Sequence, residues 1–385
     1  MVFPKPRRCQ RDPDLLHKIR HLVLLGRFTL GWPIHRTHHG YQRLPLWSCA
    51  AALRLAWMAV LFGYVTFVIQ ASMSGFYSVH FVEKIVKIFH LIMESWLLLV
   101  PLVHWTAAAG VANYFNSWRR FQARWVRVTG TPFEEAVIRE STANWLATAI
   151  VTAAVSFLLA ETQVAPDMYA WKWPLYSVSV VSYASDMTVW CVLTYQMGNV
   201  CRELRRHLKR ELDAGPVPVE VLQEYFLLWL RLRDLLLGLV PANELAWVRW
   251  MAFMGITAIL SLFVTCATAV IGDYRRARSL MLSNLCHLSY IIAVAVNCGF
   301  AEHEVGRGLR MELLALRMQR LDPECRDQVF RFLLIMHRAK VRVVLGGGLV
   351  VNKSLPVKFS NLALTYMTVL AQFTLAVGLN ARDDK

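Results

Sequence analysis

The sequence predicts an all-α protein that crosses a membrane seven times, and two observations lead to this fold class. Of the 385 residues, 56% are hydrophobic, and they occur in long runs rather than in the alternation that builds one soluble core. Seven stretches, each mainly apolar, are long enough to cross the hydrocarbon core of a bilayer as helices. The predicted spans are Leu46–Gln70, Lys84–Ala109, Ser141–Ala160, Trp173–Met197, Trp247–Ile271, Ser279–Phe300 and Val357–Leu379.

Lys and Arg are distributed unevenly between the two ends of these spans, and this asymmetry predicts the orientation. Segments 1–45, 110–140, 198–246 and 301–345 carry thirty of the 42 Lys and Arg residues, whereas the segments on the opposite side carry eight. Segments rich in Lys and Arg face the cytoplasm. The N-terminus is therefore expected in the cytoplasm and the C-terminus outside, an orientation that argues against a G-protein-coupled receptor.

The composition also argues against several classes of function. The net charge is +16, but the basic residues lie between spans rather than on one basic face, so no nucleic-acid partner is expected. None of the eight cysteines forms a C-x-x-C pair, and no catalytic or nucleotide-binding motif is present. Glu302-His303-Glu304 could bind a metal, but we expect a solvated helix terminus there. We therefore predict no enzyme activity, cofactor or metal.

Two inner segments, 198–236 and 307–342, place Leu and other large apolar residues among arginines at helical spacing. They are predicted to extend the fourth and sixth spans as amphipathic helices. Such helices either lie on the membrane surface or pack together. We favour a packed helical base, because their apolar faces are broad enough to need partners.

The last predicted span contains the run Thr365-Tyr366-Met367-Thr368-Val369-Leu370-Ala371-Gln372-Phe373. A Thr-Tyr pair, five mostly apolar residues and Gln-Phe resemble the signature of the insect gustatory receptors, which belong to the seven-transmembrane insect chemoreceptors. Upstream, Phe330 to Asn352 resembles that family as well, through a basic amphipathic helix, a glycine-rich break and a Val-Asn-Lys lead-in. The specific resemblance covers roughly the last 55 residues.

This resemblance implies a ligand-gated cation channel subunit in the plasma membrane of chemosensory neurons. It implies a homo- or hetero-tetramer with other gustatory receptors around the seventh helices, opened by an external small-molecule tastant. Sweet-type members of the family often carry an acid after the Thr-Tyr pair, where this chain has Met367. The implied ligand is therefore a bitter or aversive compound, or a contact pheromone.

The resemblance also divides the chain into functional segments. They are a cytoplasmic N-terminal segment (1–45), a six-helix ligand-sensing region (46–300, including the cytoplasmic helical loop 198–246), cytoplasmic anchor and linker helices (301–356), a pore helix (357–379) and an extracellular C-terminus (380–385).

Gln372 lies about 15 residues, or roughly 22 Å, from the inner end of the seventh span. A primary amide at that depth is costly in contact with lipid, so it must bond to another helix or line water. Thr365 and Gln372 are seven residues apart and face almost the same way, as do Tyr366 and Phe373. The first alternative is a hydrogen bond between helices. The second, which the resemblance favours, is a polar ring at Gln372 beside an apolar constriction at Phe373.

Ionisable and aromatic residues in the other spans are the candidates for a ligand pocket, which needs apolar walls and a few polar groups. They are His90, Glu94, Trp96, Tyr176, Tyr183, Asp186, Asn284 and His287, together with Tyr290. Tyr and Trp near span ends are also ordinary interface anchors. For the charged residues at membrane depth we favour a buried pair, in which Arg54 neutralises Glu94 or Asp186.

Two rival functions remain open at this point. An odorant receptor of the same superfamily is the nearest alternative, although the intact Thr-Tyr and Gln-Phe pairs argue against it. A secondary transporter is the other, although the sequence shows neither the internal repeats nor the paired helix interruptions of that class.

The charge asymmetry generates a test of topology. Epitope tags at the two ends should stain differently, with the N-terminal tag visible only after permeabilisation and the C-terminal tag visible on intact cells. Immunofluorescence with and without detergent measures this directly. An N-terminal tag that stains intact cells would contradict the predicted orientation of every span.

Overall fold

The computed structural model describes residues 33–38, 40–45, 47–73, 81–131, 133, 173–215, 217–272, 274–315 and 321–383. The helices in this part of the chain are α1 (Cys49–Met73), α2 (Phe81–Thr129), α3 (Trp173–Ala214), α4 (Val219–Gly238), α5 (Glu244–Ile271), α6 (Tyr274–His303), α7 (Leu309–Leu314), α8 (Pro323–Arg338) and α9 (Leu355–Asp383). A 3₁₀ turn, Pro241–Asn243, precedes α5, and a π-helical segment, Glu304–Gly308, joins α6 to α7. The strands are β1 (Ile34–Thr37), β2 (Gly40–Arg43), β3 (Val344–Leu345) and β4 (Leu349–Val350).

Six of the seven predicted spans fall on helices, namely α1, α2, α3, α5, α6 and α9. The third, Ser141–Ala160, lies outside the described residues. The predicted extension of the fourth span is confirmed, because α3 continues to Ala214 without a break. The helix α2 likewise runs on to Thr129, an extension that the sequence analysis did not anticipate.

Length and apolarity alone identify few of these helices as spans. Among the described residues, the helical stretch Val219–Val270 is the one that is long and apolar enough to cross a membrane by composition, and a shorter apolar stretch, Ala51–Phe67, lies in α1. The other helices are assigned as spans from the arrangement of the helices and from the family resemblance.

The main hydrophobic core lies in the packed helical base, formed by the C-terminal parts of α2 and α3 with α4, α7 and α8. Indole rings fill much of it and of its junction with α5, and each of these is at most 1% exposed: Trp118, Trp125, Trp190, Trp229, Trp247 and Trp250. On α4, the apolar side chains Leu222, Leu228 and Leu232 are buried as well. The predicted packing of the amphipathic segments against one another is confirmed by this core.

The helices above the base expose large apolar side chains along their outer faces. Leu53, Val60 and Phe62 of α1 are more than half exposed, and so are Met281 and Leu285 of α6. Exposed apolar area on this scale is unusual for a soluble protein and marks a surface that another apolar medium or partner covers. A lipid bilayer around these helices accounts for it.

A short antiparallel hairpin of β1 and β2 precedes α1 and is fixed to α2 by one side chain. The Tyr41 N–H donates to Asn116 Oδ1 (2.7 Å), and Asn116 Nδ2 donates to the Tyr41 carbonyl (2.8 Å). The amide thus satisfies both backbone groups of Tyr41, as a neighbouring strand would. A side chain at Gly40 would collide with Asn116, since an ideal Cβ there lies 2.4 Å from Oδ1.

The glycine-rich break between α8 and α9 forms a second hairpin, in which Leu345 pairs with Leu349. Gly346 and Gly347 have φ values of 57° and 74°, in the left-handed region that glycine adopts at little cost. Asn352 then starts α9, because its Oδ1 accepts hydrogen bonds from the N–H (3.0 Å) and the hydroxyl (2.7 Å) of Ser354.

Candidate functional site

The helix that carries the Thr-Tyr and Gln-Phe pairs, α9, packs on α5 and α6 with one face only. Phe359 lies against Gly255 of α5, where an ideal Cβ would be 3.1 Å from the ring, and Met367 Sδ lies 3.9 Å from Cys266 Sγ. At 100° per residue, Gln372 is rotated by about 140° from both Phe359 and Met367. The Gln372 side chain therefore points away from α5 and α6, and it is exposed.

Two other motif residues of α9, Thr365 and Tyr366, have described side chains. Thr365 is exposed and donates its hydroxyl to the Asn361 carbonyl one turn earlier (2.9 Å). Tyr366 is 50% exposed. The side chain of Phe373 lies outside the described residues. Since α9 leaves one side uncovered over its middle turns, that side is available to line an axis or to contact a neighbouring subunit.

Most of the predicted pocket residues lie on described helices, but their side chains are not among the described ones. The side chains of His90, Glu94 and Trp96 on α2, of Tyr176 and Tyr183 on α3, and of His287 on α6 lie outside the described residues. Asn284 is placed, and it accepts a hydrogen bond from Ser261 Oγ that joins α6 to α5. In the described part of the chain, Asn284 Nδ2 is buried without a hydrogen-bond partner.

Asp186 belongs to a buried cluster that the sequence analysis missed. Its Oδ2 lies 2.6 Å from His104 Nε2 and 3.9 Å from Arg249 Nη2, and all three side chains are less than 10% exposed. The cluster joins α2, α3 and α5. His104 and Arg249 lie near the inner ends of their predicted spans, whereas Asp186 lies near the middle of its span, so no common depth in the sequence indicated this contact.

The predicted pairing of Arg54 with a buried acid stays a prediction. The side chains of Arg54 and Glu94 lie outside the described residues, and the described basic neighbours of Asp186 are His104 and Arg249.

The π-helical segment Glu304–Gly308 lies at the centre of the base, and neighbouring helices bind its carbonyls. Trp229 Nε1 of α4 donates to the Val305 carbonyl (2.8 Å), and Cys201 Sγ of α3 donates to the Glu304 carbonyl (3.3 Å). Burial raises the pKa of Cys201 to about 12, so its thiol stays protonated and able to donate. A π-helical segment leaves backbone groups outside the regular ladder, and here side chains satisfy two of them.

The carboxylate of Glu304 is held by two arginines of α3, with Arg202 Nη2 at 3.1 Å and Arg205 Nη1 at 3.5 Å. The expectation that Glu302-His303-Glu304 is a solvated terminus was wrong for Glu304, which is 7% exposed. Burial also raises the pKa of Glu302, whose carboxylate accepts a hydrogen bond from the Val343 N–H before β3. These contacts hold the end of α6 to α3 and to the segment leading to α9. No group of residues suited to a metal ion occurs in the described part of the chain.

Several known proteins are similar to this chain in sequence or in fold. The profile of the 7tm Chemosensory receptor family matches residues 19–377. Among curated proteins, the chain is 21% identical over 303 residues to "Gustatory and odorant receptor 21a" of Drosophila melanogaster, covering 77% of this chain and 65% of that protein. It is also 21% identical over 286 residues to "Gustatory and odorant receptor 22" of Anopheles gambiae, covering 72% and 60%. The chain thus spans less than two thirds of the length of either relative.

Two solved structures of the olfactory receptor OR5 from Machilis hrabei are similar to the whole fold. One has a TM-score of 0.67 and 11% identity, and the other, in complex with eugenol, has a TM-score of 0.66 and 12% identity. Each comparison covers 94% of this chain and 100% of the other. At this identity the likeness shows a shared fold, and it confirms the predicted all-α membrane architecture.

The buried Asp186 cluster gives a testable prediction. Asp186→Asn removes the charge that offsets Arg249, and an uncompensated buried charge costs about 3–5 kcal/mol. We expect a clearly lower melting temperature and less protein at the cell surface, measured by fluorescence-detected thermal unfolding and surface labelling. Asp186→Asn combined with Arg249→Met should recover part of the loss. The exposed Asp234→Asn serves as the control, and an unchanged melting temperature in Asp186→Asn would contradict the pairing.

The π-helical segment gives a second prediction. Trp229→Phe keeps the aromatic packing but removes the indole N–H, which leaves the Val305 carbonyl buried without its donor and costs about 1–3 kcal/mol. Thermal unfolding should show a decrease of that size in the free energy of unfolding. Trp47→Phe, at an exposed indole, should show no decrease. Equal melting temperatures for Trp229→Phe and wild type would mean that this hydrogen bond does not stabilise the base.

Proposed function

Because the chain belongs to the 7tm chemosensory receptor family, we propose that it is a taste receptor subunit in the plasma membrane of chemosensory neurons. It detects external small molecules and opens a cation-conducting pore. The family is one of receptors rather than enzymes, and it explains the exposed apolar faces of the helices. The uncovered side of α9, with the Gln372 amide on it, is the observation that carries the channel part of this proposal.

The physical argument for the pore starts from the cost of an exposed amide. Gln372 points away from α5 and α6, and a primary amide facing lipid at that depth leaves its hydrogen-bonding groups unsatisfied. An axis shared by several copies of α9 removes this cost, because water or a facing amide then becomes the partner. We propose a homo- or hetero-tetramer with other gustatory receptors, with Gln372 and Phe373 at the constriction.

The ligand is proposed to bind among the outer halves of α2, α3 and α6, where the pocket candidates of the sequence lie. One of the similar olfactory receptor structures is a complex with eugenol, a small organic molecule. A ligand of this kind opens a channel only if it binds the open arrangement of helices more tightly than the closed one. The hydrogen bond between Asn284 and Ser261, together with the packing of α9 on α5, gives the pocket side a physical route to the pore helix.

Taste rather than smell is proposed on the intact Thr-Tyr and Gln-Phe pairs. Met367 after the Thr-Tyr pair further favours a bitter or aversive compound or a contact pheromone. The second candidate is an odorant receptor of the same superfamily, and the fold likeness to an olfactory receptor is the observation in its favour. Currents evoked by non-volatile compounds, and not by volatile ones, would separate taste from smell.

The pore proposal predicts the effect of Gln372→Ala. Removing a polar ring should raise the basal leak or change the ratio of cation permeabilities, without reducing the amount of receptor at the surface. Whole-cell recording in transfected cells, with surface labelling in parallel, measures both quantities.

The matched control is Gln70→Ala, which removes the same side chain from an exposed position near the outer end of α1. It should leave leak and permeability unchanged. Normal permeation in Gln372→Ala at matched surface level would exclude the residue from the pore. Lost surface expression without a permeation phenotype would instead favour a hydrogen bond between helices.

A further inference from the structure

A half-open cleft lies between α2 and α4 in the base, separate from the pore helix and from the ligand pocket proposed above. Its volume is about 580 Å³. Six of its lining residues carry the argument: Gly110, Tyr114, Arg120, Arg231, Leu235 and Ala242. We refer to it as the α2–α4 cleft.

The two walls of the α2–α4 cleft present like charges. Arg120 belongs to α2 and Arg231 to α4, both are exposed, and neither has an ion pair among the described residues. The one acid that lines the cleft, Asp234, already accepts two hydrogen bonds from Arg233, at 2.8 and 3.2 Å. Two guanidinium groups thus face one space that holds a single carboxylate, and Oδ1 of that carboxylate is already bound by Arg233.

One turn further along α2, the contact between α2 and α4 joins opposite charges instead of like ones. There, Arg124 of α2 donates twice to Glu224 of α4, at 2.8 and 3.0 Å. Opposite charges meet in this part of the interface, whereas two arginines line the cleft. An anion between Arg120 and Arg231 would offset their mutual repulsion. Guanidinium groups are well suited to bind phosphate through paired hydrogen bonds.

The position of the cleft indicates which kind of anion reaches it. Its upper end, at Gly110 and Ala242, lies between the predicted inner ends of the second and fifth spans. The helices approach closely there, since an ideal Cβ at Gly110 would be 2.6 Å from the Ala242 carbonyl oxygen. Arg120 lies ten residues, or about 15 Å, further from the membrane than Gly110. A phosphate that bridges these arginines therefore has to lie further from the membrane than the phosphodiester group of an ordinary phospholipid.

The remaining lining suits a polar ring that carries phosphates. Tyr114 and Leu235 provide an apolar wall. Burial raises the pKa of Tyr114, so its hydroxyl stays protonated. Asn113 adds an exposed polar group to the lining, and Ser117 Oγ accepts a hydrogen bond from Arg120 Nη2 (3.0 Å). Basic pockets beside membrane helices on the cytoplasmic side are sites of this kind for phosphorylated inositol lipids.

We propose that the α2–α4 cleft binds the headgroup of a phosphorylated inositol lipid, with Arg120 and Arg231 holding its phosphates. The lipid bridges α2 and α4, and so it stabilises their packing within the base. This proposal can be tested apart from the proposed ligand pocket and pore. A binding measurement tests the cleft, whereas channel current tests the pore.

The test is direct binding of a fluorescent short-chain phosphatidylinositol 4,5-bisphosphate to the purified full-length receptor, followed by fluorescence anisotropy. Arg120→Gln and Arg231→Gln should each weaken binding by at least about tenfold, as expected for one lost charge-assisted contact. Arg127→Gln is the matched control, because it removes an exposed arginine of the same helix outside the cleft. It should change the affinity by less than about twofold, within the range of a surface charge.

Competition distinguishes the possible sources of the phosphate. Short-chain phosphatidylcholine should not displace the probe, and soluble inositol trisphosphate should displace it more weakly than the unlabelled lipid does. Displacement by inositol trisphosphate as efficient as by the lipid would overturn the lipid assignment in favour of a soluble phosphate. Unchanged affinity in the double variant Arg120→Gln/Arg231→Gln, with its melting temperature intact, would overturn the site. So would an equal loss in Arg127→Gln.

Discussion

The hydrogen bonds to the π-helical segment are the contacts on which the rest of the base depends. The Val305 and Glu304 carbonyls are taken by Trp229 of α4 and Cys201 of α3, and the Glu304 carboxylate is held by Arg202 and Arg205. These partners belong to two helices, α3 and α4, so the end of α6 cannot shift without breaking contacts to two neighbours at once. The buried tryptophans around it then have a fixed frame to pack against.

This frame is connected to α9, the proposed pore helix, through short polar contacts. Glu302, at the end of α6, accepts a hydrogen bond from the Val343 N–H, and the Val351 N–H donates to the Val343 carbonyl at 2.9 Å. The β3–β4 hairpin is thus tied at its base to α6 and leads within four residues to α9. In the proposed channel, these contacts anchor the inner end of α9. An anchored end suits a helix whose middle turns touch its own subunit on one side only.

Much of the fold was accessible from the sequence because its signals are local. Apolar runs placed six helices, leucines and arginines at helical spacing placed the base, and Gly346 to Gly348 marked a break that forms a glycine turn. The Thr-Tyr and Gln-Phe pairs indicate the family from within one helix. The missed features are those that depend on distances between helices. Asp186 meets His104 and Arg249 only because three helices converge, and no spacing within one helix records this. Glu304 reads as a solvated acid until its two arginines are seen, and a π-helical segment has no compositional signature of its own.

The Asx turn at Asn352 fixes the residue at which α9 begins, and so it fixes how far along the helix each later residue lies. Because the Asn352 side-chain oxygen accepts hydrogen bonds from Ser354, the first residue of the helix is set by the chain itself rather than by the membrane. From Leu355, Gln372 follows after 17 residues, a rise of about 26 Å. One inserted residue between them would move the amide by only about 1.5 Å but swing it by about 100° around the helix. The depth of this side chain is therefore tolerant of small changes in length, whereas its direction is not, and counting residues from Asn352 decides what the amide faces.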